Sequence, residues 1–261
     1  MVTLGKPSGK VEKYYADTIA KQGAMLFSLV DPDKTGGEKG ARLAQASCEA
    51  GADVIQVGGS IGAQGTVLDE TVKMIKERVN VPVVLFPGNI SGITSYADAT
   101  YFMYMLNSRD VYWLSTAQIQ GAPVVQRSKI EAIPTAYLVL EPGRAVGWIG
   151  NANLVPRDRP DLAYACALAA RYMGAHVLIS DSGSGASDPA PIDVVGGIAK
   201  ACANEMFYIY GGGVKNGDQA GDVIKAGAHG IQIGTAFEGK DVAERTARVK
   251  KAMLAEGKKR I

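Results

Sequence analysis

At 261 residues and 27.4 kDa the chain is long enough for two small domains or for one α/β barrel, and its 47% hydrophobic and 21% charged residues exclude a disordered segment. Twenty-eight Lys and Arg against 26 Asp and Glu leave a net charge of +2, too balanced for a nucleic-acid binder held mainly by phosphate neutralisation. No run of about 18 uninterrupted apolar residues is present, which excludes a membrane-spanning helix, and the opening MVTLGKPSGKVEKYYAD lacks an apolar signal-peptide core, so a cytoplasmic location is expected.

In chain order, KVEKYYADTIAKQG has helical spacing and is expected to close the bottom of the fold. AMLFSLV is the first of eight short apolar runs rich in β-branched and aromatic residues, and it ends in DPDKTGG. ADVIQV ends in GGSIG, VPVVLF in PGN, ATYFMYM in LNSRD, TAYLVL in EPGR, AHVLIS in DSGSG, MFYIY in GGGV and GIQI in GTAFEG. Each run is expected to form a strand. Between most of them lie amphipathic segments, GARLAQASCEAGA, VLDETVKMIKERV, DLAYACALAARYMGA, APIDVVGGIAKACA and NGDQAGDVIKAGA, several ending in Gly-Ala as helices do before a strand. The long stretch NSRDVYWLSTAQIQGAPVVQRSKIEAIP has room for a helix plus an inserted segment, and DVAERTARVKKAMLAEGKKRI is expected to be the last helix. Its end, Lys258, Lys259 and Arg260, is expected to be a solvated tail. Cys48, Cys166 and Cys202 are odd in number and far apart, so they are expected as buried thiols in a reducing compartment.

Continuous rather than alternating apolar runs imply strands buried on both faces, as in a parallel sheet covered by helices. Eight strand-helix units with no linker break fit one closed (β/α)8 barrel, an α/β fold spanning residues 1–261 as a single domain. An open doubly wound sheet would carry its glycine fingerprint after the first strand, where this chain has DPDK.

In such a barrel the chemistry lies at the C-terminal ends of the strands. Gly211, Gly212 and Gly213 follow the seventh strand, and Gly234 and Thr235 follow the eighth. Glycine lets backbone N–H groups approach an anion, so these loops are expected to cradle a phosphate, with Ser182, Gly183, Ser184 and Gly185 adding donors. Asp31, Pro32, Asp33 and Lys34 after the first strand, with Gly58, Gly59 and Ser60 after the second, offer hard oxygen ligands suited to Mg2+. His176 and His229 each open a strand at the opposite end, away from that chemistry. Many isomerases, aldolases and synthases are phosphate-binding barrels of this description.

The ordered set DPDK, VGGS, FPGNISGI, FMYMLNSRD, YLVLEPGRAVGWIG, SDSGSGA, YGGGVKN and GIQIGTAFE, from about Ala24 to Glu238, resembles the geranylgeranylglyceryl phosphate synthase family, in its longer branch. The resemblance implies a (β/α)8 barrel that joins sn-glycerol 1-phosphate to geranylgeranyl diphosphate, releases diphosphate and uses Mg2+. It makes Asp31 and Ser60 the metal residues. It assigns glycerol 1-phosphate to Ile179, Ser180, Asp181, Ser182, Gly183, Ser184 and Gly185, then Gly212 and Gly213, then Gly234 and Thr235. Where the family usually has Glu as the natural general base, this chain has Asp181, one methylene shorter; where the shorter branch has a Lys, it has Leu29. Phe102, Met103, Tyr104, Met105, Tyr112, Trp113 and Trp148 are candidate walls for a prenyl groove, Tyr112 and Trp113 also for a subunit contact. The family branch further implies a homo-oligomer, dimers assembled into a larger ring such as a hexamer, and a product delivered to the membrane. Three alternatives compete: a synthase for a longer prenyl chain, a metal-independent phosphate-binding isomerase or indole-glycerol-type synthase barrel, and a non-catalytic barrel.

Overall fold

The computed structural model describes residues 8–234 and 241–261. Its eight strands are β1 (Met25–Val30), β2 (Val54–Gly59), β3 (Val83–Pro87), β4 (Ala99–Met105), β5 (Glu131–Val139), β6 (Val177–Asp181), β7 (Phe207–Gly211) and β8 (Gly230–Ile233). Each pairs in parallel with the next, and β8 returns to β1, so the sheet closes as the sequence implies. The helices are α1 (Lys10–Gln22), α2 (Pro32–Thr35), α3 (Gly37–Glu49), α4 (Gly65–Lys76), α5 (Ala117–Ser128), α6 (Arg144–Ile149), α7 (Pro160–Tyr172), α8 (Ile192–Cys202), α9 (Gly217–Lys225) and α10 (Val242–Gly257).

Two segments differ from expectation in extent. β5 begins at Glu131, ahead of TAYLVL. Pro134 within it has no N–H for the ladder, which disguises the strand, yet its carbonyl still accepts the His176 N–H at 2.9 Å. The long stretch after β4 resolves into a π-helical turn at Tyr112–Thr116 that runs directly into α5.

Successive strand residues alternate between the barrel interior and the helix layer. Inward-facing Met25, Phe27, Val54, Val84, Tyr101, Tyr137, Ile179, Phe207 and Ile209 fill the interior. Outward-facing Leu26, Leu138, Leu178, Tyr208 and Ile231 meet the helices, where Ala163, Ala167 and Ala170 let α7 lie close to the sheet. The expected bottom helix is α1. Its Tyr15 ring packs on Phe27 and Phe207 at 5.4 and 5.2 Å between centroids, and its hydroxyl meets that of Tyr101 at 3.1 Å. The Glu131 carboxylate accepts the Val11 and Glu12 N–H groups at 2.7 and 3.0 Å, capping this helix from the start of β5. Nearby, the Asp53 carboxylate accepts the Leu26 N–H and the Gln22 amide, each at 2.7 Å, and pairs with Lys250 of α10. Among the described residues these contacts close the barrel interior at this end.

The cysteines depart from expectation: Cys202 is buried and free, but Cys48 and Cys166 are only half-buried, because their helices α3 and α7 turn those positions partly toward solvent. Both histidines lie at the bottom as expected. His229 is buried, and its Nδ1 accepts the Tyr208 N–H at 3.0 Å, which requires a neutral ring. Burial, aided by the Arg260 charge, lowers its pKa to about 4.

In the unfolded chain that imidazole titrates near 6.5. Between those values the unfolded state binds a proton that the folded state does not, so stability falls as pH drops through the window. Two to three pKa units correspond to a loss of about 3 kcal/mol by pH 4. His229→Asn, which keeps an acceptor without titrating, is expected to flatten this difference in urea midpoints between pH 7 and pH 4.5; parallel pH profiles for variant and parent would count against it.

Candidate active site

At the C-terminal end, inward-facing positions become small or polar, so the packed interior gives way to a cavity. Its mouth is lined by Asp31, Asp33, Ser60, Asp181, Ser184, Gly185, Gly212, Gly213, Gln232 and Gly234, with Lys215, Arg245 and Arg248 on the rim. A second, mostly apolar slot runs beside it between the β3 and β4 ends and α5, lined by Phe102, Met103, Met105, Trp113, Gly121, Val125 and Ile149. The slot encloses about 880 Å³, part of it open to solvent. Gly59, Ser60, Phe86, Tyr137 and Val146 line both cavities and mark where they join.

Asp181 ends β6 and lines the polar mouth, bonded to Tyr137 of the shared wall. Its side chain is 7% exposed, and burial pushes the carboxyl pKa up. Two donors oppose this by holding the charged form: the Gly183 N–H at 2.6 Å on Oδ1 and the Tyr137 hydroxyl at 3.0 Å on Oδ2. A carboxylate so placed is a strong proton acceptor aimed into the cavity.

The glycine turns gather as expected. Gly212 and Gly213 have φ of +89° and +75°, and a Cβ on Gly213 would lie 2.2 Å from the Asp188 carbonyl oxygen. The N-terminus of α9, capped by the Asn216 side chain on the Gln219 N–H at 2.9 Å, opens onto the same mouth. Arg144, leading α6, donates to the Gly185 carbonyl at 2.7 Å and braces the turn after β6. Glycine turns, a helix N-terminus and three rim cations, of which Arg245 and Arg248 also pair with Asp241 and Glu244, give this wall chemistry suited to an anion.

Not every expected residue arrives there. With Asp181 facing inward, alternation turns Ser180 and Ser182 outward, where their hydroxyls meet those of Tyr208 and Tyr210 at 2.9 and 3.2 Å. Ile179 faces inward but one layer lower, fully buried in the interior. The Gly183 N–H is engaged by Asp181, and Thr235 lies outside the described residues. Of the expected groove residues, Phe102, Met103, Met105 and Trp113 line the slot. Tyr104, Tyr112 and Trp148 do not; Trp148 is 85% exposed on the outer side of α6. Reading by residue type missed Gln232, Lys215, Arg245, Arg248 and Gly121. Gln232 had a signal, as the one polar side chain in the run GIQI.

Asp31 lies across the mouth, its carboxyl packed on Gly59 next to Ser60. Lys34 pairs with Oδ2 at 2.7 Å, while Oδ1 is buried without a hydrogen-bond partner. Burial and the neighbouring Asp33 push the Asp31 carboxyl up to about 6, against the pull of Lys34. An orphaned carboxylate oxygen beside a serine is a fitting donor set for Mg2+, which takes one or two carboxylates and fills its other positions with water and substrate phosphate. Among the described residues no group of three or more His, Cys, Asp or Glu gathers as an all-protein metal cage.

A model of the PcrB family matches residues 18–253. The geranylgeranylglyceryl phosphate synthase of Methanosarcina acetivorans is 46% identical over 94% of this chain and 99% of its own length. That of Pyrococcus horikoshii is also 46% identical, over 88% of this chain and 89% of its own. The solved structure of (S)-3-O-geranylgeranylglyceryl phosphate synthase from Thermoplasma acidophilum, in complex with substrate sn-glycerol-1-phosphate, superposes with a TM-score of 0.89 at 33% identity, covering 95% of this chain and 100% of that one.

The site's glycines carry opposite constraints, which one substitution type separates. Gly213→Ala forces a side chain into left-handed backbone and against Asp188, and is expected to cost about 1–3 kcal/mol. Gly121→Ala, within α5 and 3.9 Å from Ile90 Cγ2, is expected to gain about 0.5–1 kcal/mol from helix propensity. Urea denaturation of both variants checks the pair; equal effects would contradict the cradle geometry.

Proposed function

Because the chain belongs to the PcrB family, we propose that it joins the prenyl chain of geranylgeranyl diphosphate to the C3 hydroxyl of sn-glycerol 1-phosphate, releasing diphosphate. One observation carries this: a buried carboxylate, Asp181, lines a mouth suited to an anion and bonds Tyr137, whose ring forms the wall shared with an apolar slot. An isomerase or synthase acting on small phosphates has no use for such a slot, which favours a transfer involving a long apolar chain.

Glycerol 1-phosphate places its phosphate on the turns at Ser184, Gly185, Gly212, Gly213 and Gly234, with Lys215 and the rim arginines adding charge. Its C3 hydroxyl then faces Asp181. The prenyl chain lies in the slot along Phe102, Met103, Met105 and Trp113, which directs its first carbon and its diphosphate toward Ser60 and Asp31. The hydroxyl oxygen forms a bond to that carbon while the bond from carbon to diphosphate oxygen breaks. The electron pair leaves with diphosphate, and the hydroxyl proton passes to the Asp181 carboxylate. Tyr137 and Gly183 hold that carboxylate in place, and Phe86 and Tyr137 shield the reacting carbon from water. Asp31 and Ser60 would hold Mg2+, which when bound stabilises the charge developing on the departing diphosphate.

The longer-branch expectation of a homo-oligomer is supported by the outer rim near α6. Trp148 is 85% exposed and Val111 63% exposed, and the 108–111 segment is tied to the end of α6 by the Ser108 hydroxyl on the Gly150 carbonyl at 2.6 Å. A second copy of the chain is the proposed cover for this apolar rim, in dimers that assemble into a ring. Among the described residues no helix is long and apolar enough to cross a membrane.

A transfer assay with glycerol 1-phosphate and prenyl diphosphates of several lengths tests the function, with turnover expected to cease in EDTA. Asp181→Asn is expected to lower kcat about 10²–10⁴-fold with little change in glycerol phosphate KM. The base works deprotonated and burial raises its pKa, so the parent should lose activity on acidification at a higher pH than an exposed aspartate would. Full activity of Asp181→Asn would overturn this role. For the oligomer, Trp148→Asp is expected to lower the mass seen by light scattering without changing circular dichroism; a monomeric parent would contradict it.

A further inference from the structure

Glycerol phosphate is chiral at its central carbon, and an enzyme that accepts one enantiomer must hold the molecule at three points. The proposed function, on which this inference rests, supplies two: the phosphate on the glycine turns and the reacting hydroxyl on Asp181. The third point must be a polar group on the same layer, facing the central hydroxyl.

Gln232 meets that requirement. It lies on β8 in register with Gly211 of β7, which is itself in register with Asp181 of β6. Gly211 puts no side chain between them. A Cβ there would lie 3.1 Å from Asp181 Oδ2 and 3.5 Å from Gln232 Nε2, so the carboxylate and the amide converge over an empty position. Gln232 is 6% exposed and lines the mouth, yet its carbonyl oxygen is buried without a hydrogen-bond partner. Buried amide oxygens are rarely left unpaired, because desolvation without a replacement bond is costly. Both Asp181 oxygens already accept one protein donor each, which leaves the shorter carboxylate less capacity to hold two substrate hydroxyls.

We propose that the Gln232 amide binds the central hydroxyl of glycerol phosphate and so selects the sn-1 over the sn-3 enantiomer. With the phosphate and the reacting hydroxyl fixed, the enantiomers differ in where the central hydroxyl points, and only one directs it to the Gln232 amide. A site built to bond a hydroxyl discriminates strongly against a substrate that leaves that site's buried polar group unpaired.

The test measures kcat/KM for both glycerol phosphate enantiomers with the parent, Gln232→Leu and Gln232→Met, together with inhibition by inorganic phosphate. The parent should prefer the sn-1 enantiomer, and both variants should lose at least about tenfold of that preference. Inhibition by inorganic phosphate should stay within about twofold of the parent, because the glycine turns are untouched. An unchanged enantiomer ratio in the variants, with normal turnover in the parent, overturns this assignment alone. Loss of phosphate inhibition in both variants also overturns it, since Gln232 would then support the cradle rather than the hydroxyl. A parent that transfers prenyl to neither enantiomer overturns the proposed function, and this assignment with it.

Discussion

A carboxylate with almost no access to water needs other partners for its charge, and the arrangement of the mouth follows from satisfying Asp181. The Gly183 N–H comes from the turn directly after β6, and the Tyr137 hydroxyl comes from β5. Tyr137 can reach only because Asp181 stands at the open end of the strand, where Val139 is its register partner and the tyrosine rises from the layer below. The same phenol ring packs edge-on to Phe86 at 5.6 Å between centroids and forms the wall shared by the polar mouth and the apolar slot. One side chain therefore orients the proton acceptor and marks the boundary between two solvents. A water-filled gap there would weaken both functions, since hydrogen bonds and charges act more strongly where water is excluded.

The glycines divide into those that shape backbone and those that leave room. Gly213 belongs to the first kind, because only its left-handed backbone brings the β7 loop past Asp188. Gly211 belongs to the second, an ordinary strand position whose missing side chain lets groups on β6 and β8 meet. Across the mouth, Asp31 is held by one lysine and keeps one oxygen orphaned. The mouth thus pairs an anion-attracting wall with a cation-attracting one, which suits two substrates, one held by its phosphate and the other by a diphosphate whose charge a cation balances.

Much of this was legible in the sequence, and the failures have physical causes. The eight apolar runs and their glycine ends gave away strands, closure and the active end, because burial on both faces leaves a compositional mark. Asp31, Asp181, Gly212, Gly213 and Gly234 line the mouth as their positions at strand ends implied. Ser180 and Ser182 were lost to strand phase: placing Asp181 inward already forces its neighbours out, a deduction that residue chemistry alone does not make. Gly121 gives no local signal, since a glycine in a helix is ambiguous until its neighbours across the slot are known. Arg245 and Arg248 belong to a helix whose sequence reads as an ordinary solvated face, and only the fold turns that face over the mouth.

The closed bottom of the barrel also constrains how the chain comes together. The cap on α1 joins Val11 to Glu131, 120 positions later, and His176 meets Glu12 across 164 positions, while Lys250 reaches Asp53 across 197. None of these contacts can form until half of the chain exists, and the last needs nearly all of it. The helix synthesised first is consequently among the last to be secured, and loop closure over such spans slows the step that secures it. Until the barrel closes, the inward Phe27 of β1 is exposed to any other apolar surface nearby. The end of the barrel remote from the chemistry is thus where nascent chains are most open to misassembly.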